Sequence, residues 1–118
     1  MELGSSAETR RVYTADDLRD FAELSGVSSS ETVPEPLIAA LFSYLLGVHL
    51  PGPGTNYLKQ DLRFRAAAPL ETELTVRVEI VRLRPEKHLV DLWASCTTAD
   101  GAVICEGRAL VKARDVGG

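Results

Sequence analysis

The sequence predicts an α+β domain in which a curved antiparallel sheet wraps around one central buried helix. Three observations carry this expectation. In the stretch from Pro36 to Leu50, Leu37, Ile38, Leu41, Leu45 and Val48 recur at helical spacing, and Ala40, Phe42, Tyr44 and Leu46 leave almost no polar face. A helix apolar nearly all round has to be covered. Downstream, the segments Glu73–Leu83, His88–Thr98 and Ala102–Ala113 alternate with a period of two and are joined by short turns, which is the pattern of an antiparallel meander. Finally, no repeat or linker divides the 118 residues, and that length suffices for one core.

Residues 1–10 are polar and small, and predict a flexible N-terminus ahead of a single domain at 11–118. Arg11-Val12-Tyr13 suits a short strand. Thr14 then reads as a helix N-cap, with Asp16 and Asp17 in the first turn. Leu18, Phe21, Ala22 and Leu24 supply one apolar stripe before Gly26. Val27 to Thr32 is a loop by composition. Pro36 suits the first turn of the central helix, and Pro51-Gly52-Pro53-Gly54 stops it. Thr55 to Phe64 reads as the first strand after the helix, with Tyr57, Lys59, Asp61 and Arg63 alternating against Leu58, Leu62 and Phe64.

Ala66 to Glu71 is a connector. In the meander, Leu74, Val76, Val78 and Ile80 face one way, as do Val90, Leu92, Ala94 and Cys96, and then Val103, Cys105, Ala109 and Val111. Asp100-Gly101 is a hairpin signal. Gly107, in mid-strand, predicts a bulge or a close approach to the helix. Trp93, Ile104 and Leu110 are left for the other side of the sheet, which points to a dimer.

Composition excludes several classes. A formal net charge of −4 argues against a general nucleic-acid or anionic-membrane binder. The apolar run is too short for a transmembrane span and lacks basic anchors. No apolar segment follows the N-terminal charges, so a cytoplasmic protein without a secretory signal is expected. Cys96 and Cys105 then read as reduced, buried small hydrophobes, and two thiols with two scattered histidines give no metal-ligand spacing.

Several stretches together resemble a known family. They are Phe21-Ala22-Glu23-Leu24-Ser25-Gly26, Leu41-Phe42-Ser43-Tyr44-Leu45-Leu46-Gly47, Leu50-Pro51-Gly52-Pro53-Gly54-Thr55 with Tyr57-Leu58-Lys59-Gln60, and the run from Arg82 to Lys87 through Asp100-Gly101 to Glu106-Gly107. They are similar to MaoC-like (R)-specific enoyl-CoA hydratases. The resemblance implies a hotdog fold, a homodimer or a heterodimer with another hotdog subunit, an acyl-CoA or acyl-carrier thioester as ligand, and no cofactor. It also implies that Tyr57 and Gln60 help to line the tunnel and the dimer contact.

The departures from the family bear on chemistry. Its members follow Ser-Gly with Asp-x-Asn-Pro-x-His, whose Asp and His activate water; Val27 and Thr32 stand at those two places. A segment that overhangs the tunnel in the family is absent. The helix start, Ile-Ala-His-Gly-Met in the family, reads Val33-Pro34-Glu35-Pro36-Leu37, and Pro36 has no N–H to offer a thioester carbonyl. Hydration needs a base, an acid and an enolate donor, so the expectation is a non-catalytic thioester-binding or structural subunit.

The alternative is an active hydratase, 3-hydroxyacyl dehydratase or thioesterase using other residues, with Glu35 as base or nucleophile. Glu35 also has a plain reading, as an acidic residue favoured at the positive end of a helix. His49, His88 and Ser43 have no triad-like neighbours. Arg63, Arg65, Arg82, Arg84 and Lys87 either steer phosphates or belong to a solvated, charge-alternating face.

Overall fold

A computed structural model describes residues 2–19 and 32–113 of the chain. In order, the elements are β1 (Ser6–Val12), a helical turn α1 (residues 15–19), β2 (Thr32–Val33), α2 (Glu35–Tyr44) continued by a π-helical turn (Leu45–His49), β3 (Asn56–Phe64), β4 (Ala68–Pro69), β5 (Glu73–Arg84), β6 (Leu89–Thr98) and β7 (Val103–Lys112). Five strands form one antiparallel sheet in the order β1-β5-β6-β7-β3, and β2 pairs with β4 apart from it. Among the described residues no helix is long and apolar enough to cross a membrane.

The meander follows its alternation. Leu74, Val76, Val78 and Ile80, then Val90, Leu92, Ala94 and Cys96, then Cys105, Ala109 and Val111 line the inner face and are fully buried. Ile38, Phe42, Leu45 and Leu46 of the central helix complete this core. The π-helical turn buries two successive leucines, and its wider ring is closed by the Leu50 N–H donating to the Leu45 carbonyl at 2.9 Å.

The sheet covers one side of the helix only, which corrects the expectation of a helix buried all round. Leu37 and Leu41 are half-buried, whereas Tyr44 and Val48 are 47% and 51% exposed. These residues are spaced four, three and four apart, so they form one stripe. Ser43 is also exposed.

Three bulges shift the strands against the simple alternation. Between Tyr57 and Lys59 of β3, the extra residue Leu58 turns outward, 53% exposed, and Tyr57 comes to the inner side with Leu62 and Phe64. A second shift, after Cys96, makes Ile104 buried and Val103 exposed, the reverse of the expected sides. A third lies between Ile80 and Arg82 and leaves Val81 exposed. A bulge sets two residues against one, so every side chain beyond it changes face.

Gly107 marks a close approach, but to a strand rather than to the helix: a Cβ there would sit 1.8 Å from the Asp61 carbonyl oxygen of β3. The N-terminus is also ordered further than its composition suggests. Residues 6–10, expected to fray, lie in β1, registered on β5 from Ser6 opposite Glu79 to Val12 opposite Glu73. The β5 edge needs backbone partners, and the half-buried Ala7 and Thr9 fit its inner side while Arg10 reaches Glu73 at 3.9 Å.

The expected cap of α1 is present. The Thr14 N–H donates to Asp17 Oδ2 at 2.9 Å and the Asp17 N–H to Thr14 Oγ1 at 3.2 Å, a reciprocal capping arrangement. The Thr14 N–H bond, helped by the Thr14 hydroxyl and the charge of Arg11, holds the Asp17 carboxyl below the usual range. The apolar stripe expected at residues 21–24 and its stop at Gly26 lie outside the described residues.

Candidate functional site

The site is built where the chain enters α2. Val33 and Ala68 are paired across β2 and β4 and both are buried, which pins this segment to the connector after β3. Pro34 restricts Val33 to an extended conformation and itself sits at φ −59°, ψ 140°. A cavity of about 190 Å³ opens here, lined by Thr32, Glu35, Ile38, Phe64 and residues of both short strands. Pro34 and Pro36 carry no N–H, and Leu37 donates its own to the Pro34 carbonyl at 3.0 Å. That leaves the Glu35 N–H as the remaining donor of the turn.

Glu35 is exposed and, among the described residues, makes no side-chain hydrogen bond or ion pair. Among the described residues it is the one ionisable side chain lining the cavity. Beneath lies Cys105, opposite Phe64 in the β3–β7 ladder and opposite Cys96 in the next. Its hydrogen bond to Cys96, its burial, and the charges of Cys96, Glu35 and Glu106 push this thiol well above the ordinary range. A buried thiol held protonated is not a nucleophile.

The structure brings Glu35, Pro36 and Thr32 together at this helix start. It does not bring Tyr57 and Gln60 there. They lie four to seven residues back from Phe64 along β3, roughly 13–23 Å away at the rise of a strand, and line no part of the cavity. The bulge at Leu58 is what puts both on one face despite their odd spacing.

The Tyr57 hydroxyl is buried without a partner among the described residues, and burial pushes its pKa up to about 12. Because the folded pKa is raised, its contribution to stability is intact below the ordinary tyrosine value of 10.0 and is lost as pH rises from there toward about 12. Alkaline unfolding followed by circular dichroism should therefore steepen in that window, and Tyr57→Phe should abolish the steepening. The same substitution removes an unsatisfied buried hydroxyl, so it should leave neutral-pH stability unchanged or higher by about 1 kcal/mol.

His49 pairs with Tyr44, Nε2 to the hydroxyl at 3.3 Å, at the far end of the helix and in the open. Of the basic residues, Arg65 bonds Glu106 at 2.9 Å and Arg84 reaches Asp91 at 3.0 Å. Among the described residues none lines the cavity; Arg65 is exposed beside Glu106, whereas the Arg84–Asp91 pair is largely covered, with Arg84 Nε and Asp91 Oδ2 buried. Residue-level reading missed Phe64, Ile38 and residues 66–68 as site components, since alanines and core apolars carry no chemical signature.

No family model matches the chain. Curated relatives do. A 3-hydroxybutyryl-CoA dehydratase of Methylorubrum extorquens is 31% identical over 127 residues, covering 95% of this chain and 80% of the relative. An (R)-specific enoyl-CoA hydratase of Aeromonas caviae is 32% identical, covering 95% of both. The solved (R)-hydratase of Aeromonas caviae superimposes with a TM-score of 0.90 over 97% of this chain and 98% of that one. The chain belongs to the (R)-specific enoyl-CoA hydratase family. Its fold is the hotdog fold of that family.

The Aeromonas caviae alignment runs over 127 residues, whereas this chain supplies 95% of its 118, so that relative carries more than a dozen residues without a counterpart here. Residues 27–31, which include the Val27 site of the motif comparison, lie outside the described residues, and Thr32 faces the cavity.

Proposed function

We propose that this chain is an acyl-thioester-binding hotdog subunit without hydration chemistry, acting in the cytoplasm as a dimer with an identical or homologous hotdog chain. The observation that carries this reading is the make-up of the α2 start. Among the described residues its cavity is lined by one carboxylate, Glu35, and no histidine, and Pro34, which lines it, and Pro36, next in the helix, have no N–H.

Hydrating an enoyl thioester requires water to be deprotonated, the α-carbon to be protonated and the enolate oxygen to be stabilised. Glu35 could serve one of these roles. Val27 and Thr32, standing where the family resemblance implies Asp and His, could serve neither proton transfer.

Two further features support the partner. The stripe Leu37, Leu41, Tyr44 and Val48 lies along the helix with Leu58 of β3 also exposed, an apolar surface that an isolated chain leaves wet. Strand β3 is also a sheet edge, with one side unpaired among the described residues. Cys96 and Cys105 are free thiols in the core, which suits a reducing compartment.

Calorimetric titration with crotonyl-CoA tests the binding half of the reading. A saturable heat with unchanged enoyl absorbance is expected, and absence of binding contradicts it. The unpaired Glu35 at the cavity mouth favours a second reading, a thioester enzyme with Glu35 as base or nucleophile. Under that reading the wild-type chain turns over a thioester and Glu35→Gln abolishes turnover with the fold intact.

A further inference from the structure

We infer that the outer face of the sheet carries a ligand site of its own, a pit beside Trp93 that takes a purine nucleoside monophosphate. The inference goes beyond the thioester reading and does not depend on it. The pit lies across the sheet from α2: in β3, Asp61 and Arg63 are exposed on the outside, while Leu62 and Phe64 pack against the core. Strand register assembles the rest. Trp93 of β6 stands opposite Arg108 of β7, and Arg108 stands opposite Asp61, a row roughly 10 Å long over two strand spacings. Arg63 follows Asp61 on the same face, one side-chain repeat along the strand. These residues line a depression of about 270 Å³, with Gly107 between them.

The groups in the pit are uncommitted. Arg65 and Glu106, which also line it, bond each other at 2.9 Å. Arg63, Arg108 and Asp61 make no ion pair and no side-chain hydrogen bond among the described residues. The indole of Trp93 is 39% exposed, and among the described residues no guanidinium stands over its ring. Two free guanidinium groups beside a bare aromatic face form a local anion site on a chain whose formal net charge is −4.

Each free group selects one part of the occupant. The indole offers a flat surface on which a bicyclic base stacks. Arg63 and Arg108 come from different strands and present two planar forks, which suit the several oxygens of a phosphate better than the two of a carboxylate. Asp61 repels a bare anion, but it is an acceptor for paired sugar hydroxyls. A base, a ribose and one phosphate satisfy all three together. Inorganic phosphate satisfies only the arginines, and a longer run of phosphates meets the repulsion of Asp61.

The test titrates AMP and, separately, GMP into the full chain. Trp93 is the only tryptophan, so its emission reports the pit directly, and calorimetry gives the affinity. Saturable quenching is expected with at least one of the two nucleotides, at an affinity at least about tenfold above that of its nucleoside. Arg63→Gln and Arg108→Gln should each cost about tenfold. Asp61→Asn should erase the preference for the nucleotide over its dideoxyribose analogue. Trp93→Ala, read by calorimetry, should weaken binding by at least about tenfold. All four side chains are exposed, and circular dichroism verifies the fold of each variant.

If neither nucleotide quenches Trp93, or if inorganic phosphate binds as tightly as the nucleotide, the assignment is overturned. Displacement of the nucleotide by the crotonyl thioester of pantetheine, which carries no base, would make the pit part of the thioester site and overturn it as well. If Trp93 emission follows protein concentration and not nucleotide, the face is a contact between chains and the assignment is wrong. None of these results bears on thioester binding at the α2 start, which the crotonyl-CoA titration tests separately.

Discussion

Gly107→Ala is expected to unfold the protein or to leave it with too little stability to isolate. An alanine Cβ would lie 1.8 Å from the Asp61 carbonyl oxygen, 2.8 Å from the Asp61 carbonyl carbon and 2.8 Å from the Leu62 Cα. All three are backbone atoms, so no rotamer change relieves the contact. Leu62 and Gly107 are register partners in the β3–β7 ladder, and Arg63 and Glu106 follow them. Making room means lifting β3 from β7 and breaking that ladder beneath the candidate site.

A loss above about 4 kcal/mol is the expected scale for strain of this kind, against a total of roughly 5–15 kcal/mol for a domain. Gly47→Ala is the control, because a Cβ there meets nothing within 4 Å. Urea denaturation followed by circular dichroism reads both. A Gly107→Ala protein within about 1 kcal/mol of wild type would show that β3 does not press on β7 as described.

The second large effect concerns association. Val48→Asp should convert a dimer into a monomer at micromolar concentration, weakening association by on the order of a hundredfold, because it buries an unpaired carboxylate in an apolar contact. Val48 is 51% exposed in the single chain, so the substitution leaves the core of each chain untouched. Light scattering should then report one chain instead of two, with unchanged circular dichroism. A wild type that is monomeric at the same concentration, with no copurifying hotdog chain, would remove the argument for a partner along the Leu37-Leu41-Tyr44-Val48 stripe.

That stripe also shows where the sequence stops being legible. Periodicity revealed that α2 is apolar all round, but a residue covered by its own sheet and one awaiting another chain obey the same pattern. Ile38 and Val48 differ in burial by the whole width of the helix and not in hydropathy. The strands of the meander were readable because alternation is local, up to the bulges. A single inserted residue such as Leu58 exchanges inside for outside downstream, and nothing in Tyr57-Leu58-Lys59 announces it. The reversal of Val103 and Ile104 has the same origin.

Strand β1 was legible only at its Arg11-Val12 end, for a different reason. Ser6 to Arg10 carry little apolar signal of their own, and it is the edge of β5 that orders them. The Thr14 cap and the Asp100-Gly101 hairpin were legible because each depends on side chains within a few residues. At the site, Glu35 and Pro36 were visible as a helix start. Phe64 and residues 66–68 reach the same cavity only through the pairing of β2 with β4, a ladder too short to leave a pattern.

The most direct measurement is hydration of crotonyl-CoA by the purified chain, followed as loss of enoyl absorbance beside the Aeromonas caviae (R)-specific hydratase under the same conditions. No turnover above background is expected, since among the described residues the cavity at the α2 start offers one carboxylate and no second proton-transfer group, and Pro36 has no amide N–H. Turnover approaching that of the control would contradict the account, and would place the missing acid, base and oxyanion donor on residues other than those at the start of α2.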